Sequence, residues 1–278
     1  MRVGNVDVHV IRDGEFWSDG GGVFGLVPRV LWEKFIQADS LNRVPMALNC
    51  LLILSEGLRI LVDTGYGDKL SPKRSEQLAL NRGGGIVAGL AEHGLEPEDI
   101  DIVINTHLHS DHCGGNSKWC DGILKPAFPN AMYWVQRMEW AAALFPNERT
   151  RATYLSENFS PVEEQLRLLD GDTRVTSEVR CVVTRGHTRA HQSVIIESQD
   201  QYAIYMGEVA PLTINLERLA WIAAFDVEPL ESLETRRRVR DWVRDHQATL
   251  FFNHDARCSV GRLCYEDERY QVEPLVLD

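Results

Sequence analysis

The sequence predicts an α/β fold in which helices cover β-sheets. Three observations lead there: short runs rich in Val, Ile and Leu that read as strands, helical apolar periodicity between them, and recurrence of this strand-then-helix order in both halves of the chain. No linker rich in Pro, Gly or Ser divides the 278 residues, so a single domain over 1–278 is expected.

The elements follow in order. Val3 to Ile11, Ala47 to Ser55 and Leu58 to Val62 read as strands, with Glu56-Gly57 as a tight turn between the last two. The segment 13–45, which carries Gly20-Gly21-Gly22, Trp17, Phe24, Leu26 and Trp32, is too long for a routine connection. It is expected to be partly helical, with a short helix at Leu31 to Ile36, or to form a flap or a dimer contact. Gly20 to Gly22 and Gly83 to Gly85 read as flexible turns, since neither has the spacing of a phosphate loop. From Gly85 to His93 apolar residues recur at helical spacing, and Gly94 is placed to end that helix. Ile100 to Asn105 suits a buried strand. Trp134 to Leu144, Pro161 to Leu169 and Leu230 to His246 read as helices. Arg180 to Thr184, Ser193 to Glu197, Tyr202 to Met206 and Thr249 to Asn253 read as strands.

Composition excludes several classes. The hydrophobic fraction is 44% and the charged fraction 25%, as in ordinary globular proteins. No apolar run approaches the roughly 18 to 20 residues of a membrane helix, and the N-terminus lacks the apolar core of a signal peptide. The six cysteines form no C-x-x-C pair, which fits reduced thiols in the cytoplasm. A net charge of -12 argues against nucleic acid as partner. The basic run Arg236, Arg237, Arg238 and Arg240, flanked by Glu234 and Asp241, reads as a solvated helix face.

The chemistry is concentrated in Asn105-Thr106-His107-Leu108-His109-Ser110-Asp111-His112, which puts three imidazoles and a carboxylate into six residues directly after a predicted buried strand. These are ligands for a borderline divalent metal such as zinc. Strand-like alternation brings His107 and His109 to one side, while the following turn sends Asp111 and His112 elsewhere, an arrangement that suits two adjacent ions. His187, Glu208 and His254 each follow a predicted strand end, where loops on a rigid scaffold carry functional groups. Cys113 reads as a small buried residue. His9, His93 and His246 have no companion donors and read as surface or helix-end residues. The absence of G-x-S-x-G argues against a serine hydrolase.

The H-x-H-x-D-H run, the later Gly186-His187-Thr188, Gly207-Glu208 after a strand, the final His254 and the early Leu61-Val62-Asp63-Thr64-Gly65 together resemble the metallo-β-lactamase superfamily over residues 45 to 256. Outside that span, Phe24-Gly25-Leu26-Val27-Pro28 and Leu31-Trp32-Glu33-Lys34 resemble the entry segment of the branch that holds N-acyl homoserine lactonases and methyl-parathion-hydrolase-like enzymes.

The resemblance implies a four-layer αβ/βα sandwich, with the metals at one sheet edge. It implies His107, His109 and His187 around one metal, and Asp111, His112 and His254 around a second, with Asp63 orienting a ligand. Glu208 stands where the family usually has aspartate and is expected to bridge the ions or to bind one of them. His191, in Gly-His-Thr-Arg-Ala-His, is either a substrate-facing or an ordinary hydrogen-bonded histidine. The cofactor expected is a pair of divalent ions, zinc first, with Mn, Fe or Co as alternatives.

The implied activity is hydrolysis of a small-molecule lactone or ester. Metal coordination lowers the pKa of water toward about 7, and the second metal or Asp111 is expected to help the leaving group depart. An organophosphate triester is the alternative substrate, because the entry segment resembles both groups of enzymes. Val209-Ala210-Pro211 supplies no tyrosine where the lactonases place one beside the lactone carbonyl. Iron redox enzymes of the same fold form the rival class. One kind carries Glu where this chain has His109, and no flavin domain is expected after Asp278. A nuclease is disfavoured by the acidic charge. The aromatic residues Trp17, Phe24, Trp32, Trp140, Phe145 and Phe225 are candidates both for a pocket wall and for the core, and a homodimer is the expected assembly if there is one.

Overall fold

The computed structural model describes residues 1–276; the last two positions of the expected 1–278 domain lie outside the described residues. Two seven-stranded sheets form its centre. The first runs, in chain order and in spatial order alike, through Arg2–Val3, Val6–Asp19, Arg43–Ser55, Leu58–Val62, Ile102–Ile104, Met132–Gln136 and Leu166–Leu169. The second runs likewise through Thr173–Arg174, Val179–Val183, Gln192–Ser198, Gln201–Tyr205, Thr249–Phe251, Val260–Glu266 and Arg269–Pro274. Both sheets are mixed: hairpins are antiparallel, while Leu58–Val62 with Ile102–Ile104 and Gln201–Tyr205 with Thr249–Phe251 pair in parallel across helical crossovers.

The apolar runs fill both faces of each sheet, the pattern of strands with a layer on either side. Leu51 and Ile53, Ile60 and Val62, and Ile102 and Ile104 meet Val194 and Ile196, Ala203 and Tyr205, and Phe251 in the core between the sheets. The alternate residues Leu52, Leu61 and Val103 pack outward on Ile86 and Leu90 of the helix Gly85–Ala91. Ile195, Ile204 and Leu250 pack outward on Val243 of the helix Pro229–His246, beside the half-buried Val239 and Trp242. The result is helix, sheet, sheet, helix, as the resemblance implies.

Several elements differ from the sequence expectation. The first strand is broken at Gly4-Asn5, which turn Arg2–Val3 back onto Val6–Asp19, and this second strand extends well beyond Ile11 because it pairs with Arg43–Ser55 over its whole length. Gly20 to Gly22 are not a loop: they open the short helix Gly20–Phe24, whose Gly22 N–H is capped by Asp19 Oδ1 at 3.0 Å. The second short helix is Arg29–Trp32 rather than Leu31 to Ile36.

Trp134 to Gln136 belong to a strand, and only Arg137–Leu144 is helical. Tyr133 and Trp134 face opposite layers, and parallel pairing to Ile102–Ile104 overrides the local helical reading. Pro161 to Leu169 is likewise a 3₁₀ segment, Ser160–Gln165, followed by the edge strand Leu166–Leu169. The hairpins Ser117–Cys120 with Ile123–Pro126, and Val260–Glu266 with Arg269–Pro274, were not anticipated. No helix among the described residues is long and apolar enough to cross a membrane.

Candidate metal centre

The site is built from loops at one end of the paired sheets. After Ile102–Ile104 the chain stays extended through His107-Leu108-His109 and then turns into the short helix Ser110–Cys113. Alternation drives Leu108, fully buried, into a cluster with Val135, Trp140 and Phe159 and leaves the two imidazoles on the other side, their centroids 4.5 Å apart. His187 follows Val179–Val183, Glu208 follows Gln201–Tyr205 and His254 follows Thr249–Phe251. All seven residues picked from the sequence therefore arrive in one place.

They form two groups. One potential ligand atom from each of His107, His109 and His187 lies within 4.8 Å of the others, and the same holds for Asp111, His112 and His254. His187 Nε2 is 3.0 Å from His109 Nδ1, and the buried Nε2 atoms of His107 and His112 make no hydrogen bond within the protein. Buried polar atoms normally find partners, so these orphans aimed at common points fit cations shared between them. Glu208 leans toward the second group: Oε1 is 2.8 Å from His254 Nε2 and 3.4 Å from His112 Nε2, while Oε2 is 3.8 Å from His187 Nδ1. Asp111 Oδ2 is 3.4 Å from His254 Nε2. Burial, reinforced by neighbouring imidazoles, holds His107 and His109 well below the usual histidine pKa, in the neutral state that ligation needs.

Partners behind the rings set their tautomers. His112 Nδ1 donates to Asp63 Oδ2 at 2.8 Å, His187 Nδ1 to Asp226 Oδ1 at 2.9 Å, and His254 Nδ1 to the Ala47 carbonyl at 2.7 Å. Each bond directs Nε2 toward the centre, and the carboxylates around His112, His187 and His254 outweigh burial and raise their pKa values, so a cation binding there would displace protons. Asp63, in a left-handed conformation (φ 58°), also accepts from Thr106 N–H and Thr106 Oγ1, both at 2.8 Å, and so ties its loop to the start of the histidine run. His191 supports rather than faces the cavity. It accepts the Glu208 N–H at 2.9 Å, and burial pushes its pKa down to about 3, consistent with an unprotonated acceptor.

Two carboxylates escaped the sequence reading. Asp226, buried behind His187, sits in Ala-Phe-Asp-Val with no motif to mark it. Glu139, 1% exposed, accepts from Leu108 N–H at 3.1 Å, Tyr154 Oη at 2.8 Å and Thr188 Oγ1 at 2.6 Å, and so braces both histidine loops. The one available signal for it was an acid among the apolar residues Met138, Trp140 and Ala141 to Ala143. The basic run also needs correction. Arg237 and Arg238 are exposed, but Arg236 is buried and donates to the carbonyls of Val209, Leu219 and Trp221, because the loop after Glu208 needs donors that the helix supplies.

Above the two groups lies a cavity of about 390 Å³, whose apolar lining includes Phe16, Val23, Met46, Leu78, Ala223 and Phe225. Of the aromatic residues considered from the sequence, only Phe225 lines it. Phe24 and Trp32 stack at 4.8 Å in a core cluster, Trp140 packs edge-on to Phe159, and Phe145 is exposed. The 13–45 segment contributes Phe16, Ser18 and Val23 to the wall. Polar floor and apolar walls make a site for a small molecule with an electron-rich centre.

The profile of the metallo-beta-lactamase superfamily matches residues 43–254. An N-acyl homoserine lactonase of Bacillus thuringiensis is 31% identical over 223 residues, covering 74% of this chain and 80% of the relative. The crystal structure of a probable metal-dependent hydrolase from Staphylococcus aureus superposes over the whole of both chains with a TM-score of 0.90 at 28% identity. An N-acyl homoserine lactone hydrolase, solved with N-hexanoyl-L-homoserine bound at its catalytic metal center, superposes with a TM-score of 0.71 at 26% identity, over 92% of this chain and 95% of that one.

Proposed function

This chain belongs to the metallo-beta-lactamase superfamily, and from that premise we propose that it is a metal-dependent hydrolase acting on a small lactone or a related ester. The observation that carries the reading is the convergence of seven donor residues beside a mostly apolar cavity that five of them line, with buried imidazole nitrogens left unpartnered. The names of the relatives supply the bond class, lactone.

On this reading His107, His109 and His187 would hold one divalent ion, and Asp111, His112 and His254 the other, with Glu208 between them and nearer the second. Zinc suits so many imidazoles, and Mn, Fe and Co accept the same donors. When bound, the ions would lower the pKa of water toward about 7 and draw a carbonyl oxygen to the site. The chain's own residues do the rest. Asp63, Asp226 and the Ala47 carbonyl hold the rings in ligating orientation. Asn253 Nδ2 donates to Glu208 Oε1 at 2.9 Å and fixes that carboxylate. Asp111 is the most open of the donors, its side chain 22% exposed, and lines the cavity, where it can take a proton and pass it to the departing oxygen. The apolar walls bind the substrate's hydrocarbon part and exclude bulk water.

Elemental analysis of the purified protein with a panel of an acyl lactone, an aryl ester and a phosphotriester tests the proposal. About two divalent ions per chain are expected, with the lactone cleaved fastest, activity lost on chelation and regained on adding metal. Activity that survives complete chelation rules out the mechanism; preference for the phosphotriester transfers the reading to organophosphate hydrolysis. Oxygen consumption by an iron-loaded preparation points to the redox class instead.

A cytoplasmic setting is supported by six free cysteines, four of them buried. A homodimer through the 13–45 segment is supported by the exposed Leu26, Val30 and Leu31, and sedimentation analysis showing only monomer removes it.

A further inference from the structure

We infer that Tyr66 is a catalytic residue whose phenolic O–H donates a hydrogen bond to the substrate's carbonyl oxygen as negative charge builds there. This rests on the reading of the chain as a lactone or ester hydrolase. Tyr66 is only 7% exposed, yet it lines the cavity together with Asp111, Glu208 and His254. Its hydroxyl takes part in no hydrogen bond among the described residues and is not sealed from solvent, so it opens into the cavity rather than onto a protein group. The threonine hydroxyls that line the same cavity are committed: Thr153 Oγ1 donates to the Thr150 carbonyl at 2.7 Å, and Thr150 Oγ1 to Asn147 Oδ1 at 3.4 Å.

Tyr66 is also held rigidly, as a preorganised donor must be. Its N–H donates to Asp13 Oδ2 at 3.1 Å, and Asp13, fully buried, is anchored by Arg82 at 2.7 Å. Gly65 and Gly67 on either side have φ of 65° and 63°; a side chain at Gly65 would strike Asp13, and one at Gly67 would strike the Gly114 carbonyl, two residues past His112. The turn is therefore clamped between Asp13 and the end of the histidine run. The ring meets Phe16 edge-on at 5.3 Å, and Phe16 in turn meets His254 edge-on at 5.5 Å, which fixes the phenol relative to the donor cluster. Burial, with Asp111 and Glu208 nearby, raises the phenol well above its usual pKa, so it stays protonated and acts as donor only. The phenol keeps its proton throughout; the ring C–O bond of the lactone breaks with water's oxygen added to carbon and water's proton passed to the leaving alkoxide.

The test uses the full metal-loaded chain with Tyr66→Phe, which keeps the ring and removes only the hydroxyl. On an acyl lactone, kcat is expected to fall about 10² to 10³-fold, the loss typical of one oxyanion donor. KM is expected to stay within about twofold, and metal content and melting temperature to match the wild type. Unchanged kcat overturns the inference, as does a loss accompanied by metal depletion or by a lower melting temperature, or a rise in KM alone. Ser110→Ala is measured beside it, because Ser110 also lines the cavity; if the kcat loss appears there and not in Tyr66→Phe, the donor is misassigned. A wild-type protein that cleaves neither lactone nor ester ends the functional reading and this inference together, whereas an active wild type with an equally active Tyr66→Phe ends only the inference.

Discussion

Asp226 Oδ1 accepts from His187 Nδ1 at 2.9 Å, in a buried pocket where its second carboxylate oxygen has no partner. The contact fixes His187 as the Nδ1–H tautomer and points Nε2 at His109. Carboxylate partners of this kind contribute to ligand basicity and typically account for about 10 to 100-fold in metal affinity. Asp226→Asn keeps the shape and removes the charge. Its metal affinity, measured by competition with a chromogenic chelator, is expected to drop within that range; affinity equal to the wild type would show that the carboxylate does not tune the site.

Glu208 distinguishes between one strongly held ion and two. Its Oε1 sits on His254 and His112, and its Oε2 lies 3.8 Å from the nearest nitrogen of the first group. Glu208→Ala is therefore expected to lower metal content mainly at the second position, toward about one ion per chain by elemental analysis, with His107, His109 and His187 retaining theirs. Unchanged metal content removes Glu208 from the ligand set. Glu208→Asp separates reach from charge: full occupancy there shows that the longer side chain is not required.

What could be read from the sequence follows from how local each feature is. The run His107 to His112 carries its own spacing, and strands such as Leu58–Val62 are apolar because both faces are covered, so each announces itself within a few residues. Met132–Gln136 and Leu166–Leu169 were misread because what makes them strands is pairing with each other and, for the first, with Ile102–Ile104 some thirty residues away. Asp226, Glu139 and the Ala47 carbonyl act only because separate loops converge behind the histidines, and no local pattern encodes that approach.

His9 gives the fold a pH dependence away from the donor cluster. Its ring lies 4.1 Å, centroid to centroid, from that of His93, and burial, then His93 and the terminal amine, lower its pKa, with Asp7 opposing. A histidine depressed in the folded state contributes no penalty above its unfolded pKa of about 6.5 and costs stability as pH falls from there through the folded value. His9→Asn is expected to lose less melting temperature than the wild type between about pH 7.5 and 5.5. Parallel curves for the two proteins would show that His9 does not carry this slope.

Arg236 is the cation on which the loop after Glu208 depends. Its Nε donates to the Val209 carbonyl at 2.6 Å and a terminal nitrogen to those of Leu219 and Trp221 at 3.1 and 2.8 Å, and burial pulls its pKa down to about 10. At neutral pH it therefore remains charged, and three backbone acceptors share one planar donor. Arg236→Met fills much of the volume but leaves those carbonyls without partners, at about 1 to 3 kcal/mol for each group that water cannot reach. A net loss of about 3 kcal/mol or more is expected in urea unfolding. Arg236→Lys is expected to recover little, because a single ammonium on a flexible stem cannot reproduce the fork that reaches both sides of the loop. A loss below about 1 kcal/mol for the methionine variant would mean that the loop is held by its packing alone.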